Sequence, residues 1–432
     1  MHSDEVIFQP VILGADRGAY SLARAFHEAY GIKSIGISQQ HSRMCDSSST
    51  MEMRMIPGMD YEEVFLSKLS DIADERPDKQ LILFGCGDWY VDLITRNRAE
   101  LEKHFIIPYV SEQLRDSLVL KDRFFHICDE LGVPVPETVV YDVAQGSLEE
   151  IASLPFEFPI YVKPASSADY HYVDFPGKRK VCFVHSREEL EELISNMRDA
   201  GYVGKLVLQK PVLGDDSHMR ILTTYSDRNG KVRMASFGQV LLEDKRPLAL
   251  GNPVAIISRS NDSVVADAVR LLEHVGYTGF ANFDIKVDER DGQYRFFELN
   301  SRLGRSNYYV TMGGQNVAKW VVEDLIENKQ FSDDIQKQVD GRLYSAVPKK
   351  TIMSCLSDPN LKAEVESIYS QGNVFDPMAY SGEASFMRRV VYPRVHMRNY
   401  GKVMDEVIAS DRRKAAEGAP VSISYSTESV AK

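Results

Sequence analysis

Apolar and polar residues alternate with a period of two in FANFDIKVD (280–288) and again in QYRFFELN (293–300), with ERDG between them. This pattern predicts two strands joined by a tight turn. In the first strand Phe283, Ile285 and Val287 share one face, which leaves Asn282, Asp284, Lys286 and Asp288 on the other. In the second, Glu298 and Asn300 lie two apart and project from one face. Paired strands would let Asp284, Glu298 and Asn300 converge on one point. Two carboxylates and an amide oxygen are hard donors suited to a Mg²⁺ ion that keeps some waters and holds nucleotide phosphates. The same spacing also fits a hairpin whose polar face simply meets water. Arg302 and Arg305 follow directly and set cations beside the site.

The chain before this hairpin repeats a strand, turn, helix order. QPVILGAD is an apolar run ending in a turn, RGAYSLARAFHEAYG has helical spacing closed by Gly31, and IKSIGIS is a second strand. LILFGCGDWYVDLI repeats the motif, with Asp88 as the expected helix cap. The pattern predicts an N-terminal parallel α/β domain over residues 1–116. Its ligand edge lies beyond the strand C-termini, near Asp16, Arg17, Gly85 and Asp88. No G-x-G-x-x-G is present, so a dinucleotide fingerprint is absent.

Ser117 to Leu131 is expected to be one helix carrying Lys121, and Ser147 and Glu150 stand at capping-box spacing. FPIYVKPASSADYHY reads as a strand ending at Lys163 before a Ser-rich loop, an arrangement that can hold polyphosphate, although a strand-end lysine is commonly just surface. LVLQ is a buried strand, KPVLG a linker, and DDSHMRILTT a strand with Asp216 and Arg220 at polar positions. His126 reads as a packed or capping histidine. Beyond residue 330 the pattern predicts a C-terminal α+β extension over 331–415, in which RRVVYPRVHMRNYGKVMDEVIAS is a strand followed by a helix. Residues 416–432, small and polar, are expected to be a disordered tail.

Composition narrows the class. The chain has 432 residues, 44% apolar and 26% charged, enough for two to four domains or subdomains of a globular protein. No apolar run reaches membrane-span length, and the N-terminus lacks the marks of a signal peptide, so a cytoplasmic location is expected. Net charge is −12, which disfavours a nucleic-acid surface. The five cysteines are scattered without metal-ligand spacing, so inert thiols are expected.

A lysine on a helix, a lysine ending a strand, a linker, then D…E-x-N on paired strands: in this order the chain resembles the ATP-grasp superfamily over about residues 118–325. The resemblance implies an ATP-grasp domain over 117–330, with nucleotide between lobes at about 117–210 and 211–330. It gives Lys121 and Lys163 to the α- and β-phosphates, with Ser166 and Ser167 as the loop contacts. Gln209, Lys210 and Val212 would read adenine, and Asp216 would take the ribose hydroxyls. Asp284, Glu298 and Asn300 would hold two Mg²⁺ ions, for which Mn²⁺ could substitute. Gln209 stands where the superfamily usually has Glu, and Asn282 where the alanine–alanine ligases carry an arginine.

Within the superfamily, PVILGADRGAYSLARAFHEAYGIKSIGIS, FGCGDWYVDLI and KDRFFHICDELGVPVPET resemble the D-aspartate ligases. That likeness implies ATP-driven activation of the D-aspartate β-carboxylate and its transfer to the lysine ε-amino group of a UDP-linked muropeptide. Arg302 would stabilise the transferred phosphoryl group, and Arg220 and Arg305 would act there or on the α-carboxylate. Another ATP-grasp amino-acid or dipeptide ligase, or a nucleotide-binding module without catalysis, stays open. Helical C-terminal elements could mediate a homodimer.

Overall fold

The apolar run at the N-terminus makes strand β1 (Phe8–Leu13), and Gly14, at φ 125°, turns the chain into the helix Arg17–Tyr30. Asp16 caps that helix, its Oδ1 accepting from the Ala19 N–H at 3.0 Å, and Gly31 ends it in the left-handed region. The computed structural model describes residues 7–165, 173–175, 178–179, 181–246 and 249–416, with backbone alone for Lys121, Asp122 and 414–416. Ser166, Ser167 and residues 417–432 of the expected tail lie outside the described residues.

Strands β2 (Ser34–Ser38), β3 (Met51–Met55), β4 (Gln80–Gly85) and β5 (Phe105–Ile106) complete a parallel sheet of order β3-β2-β1-β4-β5. The chain leaves β1 towards β2 and β3 and returns on its other side as β4, so β1 and β4 flank the point where strand order reverses. Such sheets open a crevice there, beyond the strand C-termini. Leu13 and Gly85 are register partners, which sets the turn at Gly14–Asp16 beside the turn at Cys86–Asp88. The expected parallel α/β domain is therefore present, with β3 an element the pattern did not reveal.

The described residues fall into two compact units. The first comprises Met1–Glu112, Asp216–Asn282 and Asn300–Lys432, and the second Gln113–Asp215 and Phe283–Leu299. Besides the parallel sheet, the first unit holds β10 (Met219–Ser226), β11 (Val232–Glu243), β12 (Pro253–Arg259), β16 (Leu343–Ser345) and β17 (Val374–Phe375). They are joined in the order β10-β11-β12-β16-β17, with β15 (Gln336–Lys337) on β11 and the start of β13 (Gly279–Val287) beside β10. The strand expected from Asp216 begins only at Met219, after a 3-10 turn at Asp216–His218.

In the second unit β6 (Thr138–Asp142), β7 (Ile160–Pro164), β8 (Cys182–Val184) and β9 (Lys205–Gln209) form an antiparallel sheet of order β6-β9-β7-β8. The later part of β13 and β14 (Tyr294–Asn300) form the hairpin, whose apolar face packs Phe283 edge-to-face against Phe296, ring centres 5.5 Å apart. Asp288, fully buried, holds the turn by accepting from the Arg290 side chain and backbone. The single helix expected over Ser117–Leu131 is two, Glu112–Val119 and Lys121–Glu130, because Leu120 is extended (ψ 117°) and breaks the i→i−4 ladder. Lys121 thus opens the second helix.

The C-terminal segment is bound to the N-terminal sheet domain within the first unit. RRVV, expected as a strand, is a π-helical turn (Met387–Val391) that runs into the long helix Tyr392–Ala416. Pro393 brings no N–H to the ladder, and the π-helical turn directly before it is the irregularity in the ladder that accommodates it. Arg388 is buried there and donates to the Arg43 and Met44 carbonyls at 2.8 and 2.7 Å. Glu383 is buried and accepts from Tyr20 Oη (3.0 Å), Ser48 Oγ (2.6 Å) and the Ser49 N–H (2.7 Å).

Burial alone would raise the Glu383 carboxyl, but those hydrogen bonds, with Arg388 at 3.7 Å, hold it below the ordinary carboxylate range. Glu383→Ala should therefore cost about 3 kcal/mol of unfolding free energy in a denaturant titration. A group with a depressed folded pKa stabilises above its unfolded value, about 4.3, and loses that contribution as pH falls through the folded value. The stability gap between wild type and Glu383→Gln should accordingly narrow below about pH 4; a pH-independent gap would rule out the charge as its source.

Candidate active site

The crevice at the strand-order reversal is closed by a loop the sequence places far away. Residues 301–307, following β14, carry Arg302 and Arg305 into it. Arg302 forms a two-pronged ion pair with Asp88, Nε to Oδ1 at 2.6 Å and Nη2 to Oδ2 at 2.9 Å. Arg305 Nε donates to Asp16 Oδ2 at 2.7 Å. Asp16 thus serves twice, one oxygen capping the helix and the other holding a guanidinium. A small pocket results, lined by Asp16, Cys86, Asn252, Arg302, Arg305 and Asn307 together with Gly18, Gly87 and Gly304.

Close approach makes this geometry depend on Gly18. A Cβ there would stand 3.2 Å from Arg305 Cα and 3.2 Å from Asp16 Oδ1. Asn307 Nδ2 donates to the carbonyls of Gly18 (3.0 Å) and Gly304 (3.1 Å), tying the loop to the helix start. Burial, reinforced by the Asp16 charge, pushes the Cys86 thiol well above its ordinary value, so it stays protonated. Asp88 is not the helix cap. Gly87 takes that position, and the Asp88 carboxylate turns to Arg302 instead.

The expected nucleotide residues lie in the second unit, except Asp216. Lys163 is 5% exposed, so the surface alternative for this strand-end lysine does not hold. Its Nζ donates to Gln209 Oε1 at 3.2 Å and lies 5.7 Å from the centre of the Phe297 ring. Gln209 Nε2 in turn donates to Thr138 Oγ1 at 3.2 Å. Lys210 pairs with Glu137 at 2.5 Å, and Val212 is buried. In the first unit Asp216 accepts from the Glu243 N–H (2.9 Å) and from Lys245 (2.7 Å). Arg220 does not line the crevice; its Nη1 donates to the carbonyls of Ser217 and Met219. His126 is exposed rather than packed and faces Glu130 at 3.3 Å.

The hairpin's polar face is not a solvated one. Asn282, Lys286 and Asp288 are buried, and Asp284, Glu298 and Asn300 are half-buried. β14 is the hydrogen-bonded neighbour of β13, and Glu298 and Asn300 share a side of β14 by alternation. Among the described residues no three His, Cys, Asp or Glu side chains form a metal-binding group. The donor set on offer is two carboxylates and an amide, which fits a hard cation completing its shell with water and phosphate oxygens. Sequence reasoning missed the partners of both arginines and of Asp216, and Asn307 altogether. No local pattern announces contacts across 214 or 289 residues.

Comparison with known proteins supplies the context. A family model described as carbamoyl-phosphate synthase L chain, ATP binding domain, matches residues 251–321. D-aspartate ligase of Enterococcus faecium (strain Aus0004) is 36% identical over 390 residues, covering 88% of this chain and 92% of that protein. Among solved structures, the L-amino acid ligase from Bacillus licheniformis aligns with a TM-score of 0.53 at 16% identity, over 78% of each chain. The biotin carboxylase domain of Hydrogenobacter thermophilus 2-oxoglutarate carboxylase, solved with MgADP, ADP and bicarbonate, gives 0.56 at 15%, over 76% of this chain and 72% of that one. At such identities the structural likeness speaks for the fold. No helix among the described residues is long and apolar enough to cross a membrane.

A lysine cannot reproduce the two-pronged contact of Arg302 with Asp88. Arg302→Lys is expected to slow acid-dependent ADP release on the order of 100-fold. Asp88→Asn should slow it about 10-fold by loosening the guanidinium. The double variant should be no slower than Arg302→Lys alone, whereas multiplied effects in steady-state assays would show that the two residues act independently.

Proposed function

The chain belongs to the D-aspartate ligase family of the ATP-grasp superfamily, and from that premise we propose that it joins D-aspartate, through its β-carboxylate, to the lysine ε-amino group of a UDP-linked muropeptide. It is an ATP-dependent ligase that forms C–N bonds and releases ADP. The likeness over nearly the whole length of the Enterococcus protein supports this reading, because it spans 88% of this chain and 92% of that one.

The chemistry follows from what a carboxylate lacks. Its oxygen is a poor leaving group, so an amine does not displace it at neutral pH. A carboxylate oxygen attacks the γ-phosphorus of ATP, ADP departs, and an acyl phosphate forms. The deprotonated amine then attacks the acyl carbon and expels inorganic phosphate, leaving the amide. The first step brings two anions together, so fixed cations are needed to offset their repulsion. Lys163, buried in the second unit, and Lys121, at a helix start, are the cations assigned to the α- and β-phosphates. Gln209, Lys210 and Val212 are assigned to adenine and Asp216 to the ribose. Arg302, oriented by Asp88, is assigned to the transferred phosphoryl group and the oxyanion of the second step.

The ligase works with ATP and Mg²⁺; two ions, replaceable by Mn²⁺, belong to the proposal. Asp284, Glu298 and Asn300 would hold the metal. When bound, it supplies charge neutralisation for the phosphate oxygens.

Glu298→Ala should abolish ADP release while leaving the thermal unfolding midpoint within a few degrees of wild type. Near-normal ADP release by that variant in excess Mg²⁺ would end the metal assignment. In an assay of D-aspartate, L-aspartate, D-alanine and glutamate with a lysine-containing UDP-muropeptide, D-aspartate should give the largest acid-dependent ADP release. Preference for another acid would overturn the substrate assignment, and absence of any acid-dependent ADP would overturn the ligase reading.

A further inference from the structure

The chain as a whole is acidic, net −12, yet from Ala384 to Met404 it holds no Asp or Glu. Arg388, Arg389, Arg394, Arg398 and Lys402 all fall in that stretch, which covers the π-helical turn and the first half of the helix Tyr392–Ala416. That helix is docked by one side. Tyr400, Met404 and Ile408, spaced i, i+4 and i+8, are buried in the core of the first unit, and Gly401 passes close against Pro348. Arg394, Arg398 and Lys402 follow the same spacing further round the helix and are exposed.

Most of this positive charge meets nothing within the chain. Among the described residues the stretch makes two ion pairs: buried Arg388 with Glu383 at 3.7 Å, and Lys402 with Glu406 at 3.9 Å. Arg389, Arg394 and Arg398 have none there, although exposed arginines elsewhere, such as Arg96, Arg187 and Arg270, each meet a carboxylate three or four residues away. Beside them Phe386 and Met387 are each 62% exposed, and Val395 and Val403 are 39% and 42% exposed. A lone exposed valine is ordinary. Adjacent Phe and Met side chains open to water and bordered by unpaired arginines are not.

A partner for this face must offer acidic groups at its surface and hydrocarbon just beneath them. Nucleic acid supplies the phosphates but no place for Phe386 and Met387. We propose that the face docks on an anionic phospholipid surface, with Arg389, Arg394 and Arg398 against the headgroup phosphates and Phe386 and Met387 entering the acyl boundary. The acidity of the rest of the chain does not oppose this, because charges more than about 8 Å away are screened at physiological ionic strength. No residue of the face is assigned to nucleotide, metal or acid, so the proposal stands apart from the ligase chemistry.

The test floats the full-length protein with vesicles of phosphatidylcholine alone and of phosphatidylcholine with phosphatidylglycerol. Wild type should rise with the second and not with the first, and about 1 M salt should release it. Arg389→Gln/Arg394→Gln/Arg398→Gln should lower partitioning on the order of 100-fold, about fivefold for each charge. Phe386→Ser/Met387→Ser should lower it about 10-fold. Without vesicles, both variants should keep the unfolding midpoint and the acid-dependent ADP release of wild type. Equal flotation with the two lipids, or a triple variant that floats as wild type does, would overturn the proposal. So would a wild type that is a dimer without lipid and is split by the triple variant, which would give the face to a second copy of the chain. Binding that needs the arginines but ignores the Phe386/Met387 change would give it to a soluble polyanion instead.

Discussion

Two ion pairs, Asp16 with Arg305 and Asp88 with Arg302, fix the relation of the loop after the hairpin to the edge of the parallel sheet, and the shape of the crevice in the first unit depends on them. Neither pair gains much stability from charge alone, because Asp88 and its surroundings are solvent-accessible and screened. Their value is geometric. A guanidinium held at two points cannot rotate away from a developing charge, and orientation set before reaction does not have to be created during it. The parallel sheet contributes by placing both carboxylates on adjacent turns, and Gly18 by letting the loop backbone approach.

The same unit is held together by polar contacts of a less forgiving kind. Glu383 and Arg388 reach from the C-terminal segment into the interior beside the helix Arg17–Tyr30. Arg24 reaches the opposite way, donating to the Pro377 carbonyl at 2.9 Å and stacking on Tyr308. Buried groups of this type destabilise strongly when one partner is removed. They therefore specify one arrangement of the N-terminal sheet and C-terminal segment, and with it the position of the crevice that the segment helps support.

What the sequence disclosed and what it hid follow from the range of the interactions. Periodicity set by local geometry identified β1, its helix, the antiparallel strands and the hairpin, because the buried face of each is written within the element. It misread RRVVYPRV, since the buried residue there is Arg388, whose burial depends on carbonyls some 345 residues away. It took Asp88 for a cap because Asp at a helix start normally is one; only the fold reveals Arg302 as its partner. β3, at the sheet edge, buries only Met51 of its five residues, so no apolar run marks it as the fully buried β2 of equal length is marked. Charged residues that serve long-range contacts look like surface until their partners are placed, which is why the strand-end position of Lys163, taken alone, left a surface reading open.

The neutral side chain at position 209 becomes intelligible from that buried lysine. ATP-grasp relatives usually carry Glu where this chain has Gln209. In this sheet Gln209 Oε1 accepts from Lys163 Nζ at 3.2 Å while its amide donates to Thr138. A glutamate at that place would form a buried ion pair and cancel the lysine's charge in a low-dielectric setting. Glutamine keeps the hydrogen bond and the position without placing a negative charge there. The neutral residue at 209 therefore adds no negative charge beside Lys163, which is what the proposed contact of that lysine with a polyphosphate requires of this position.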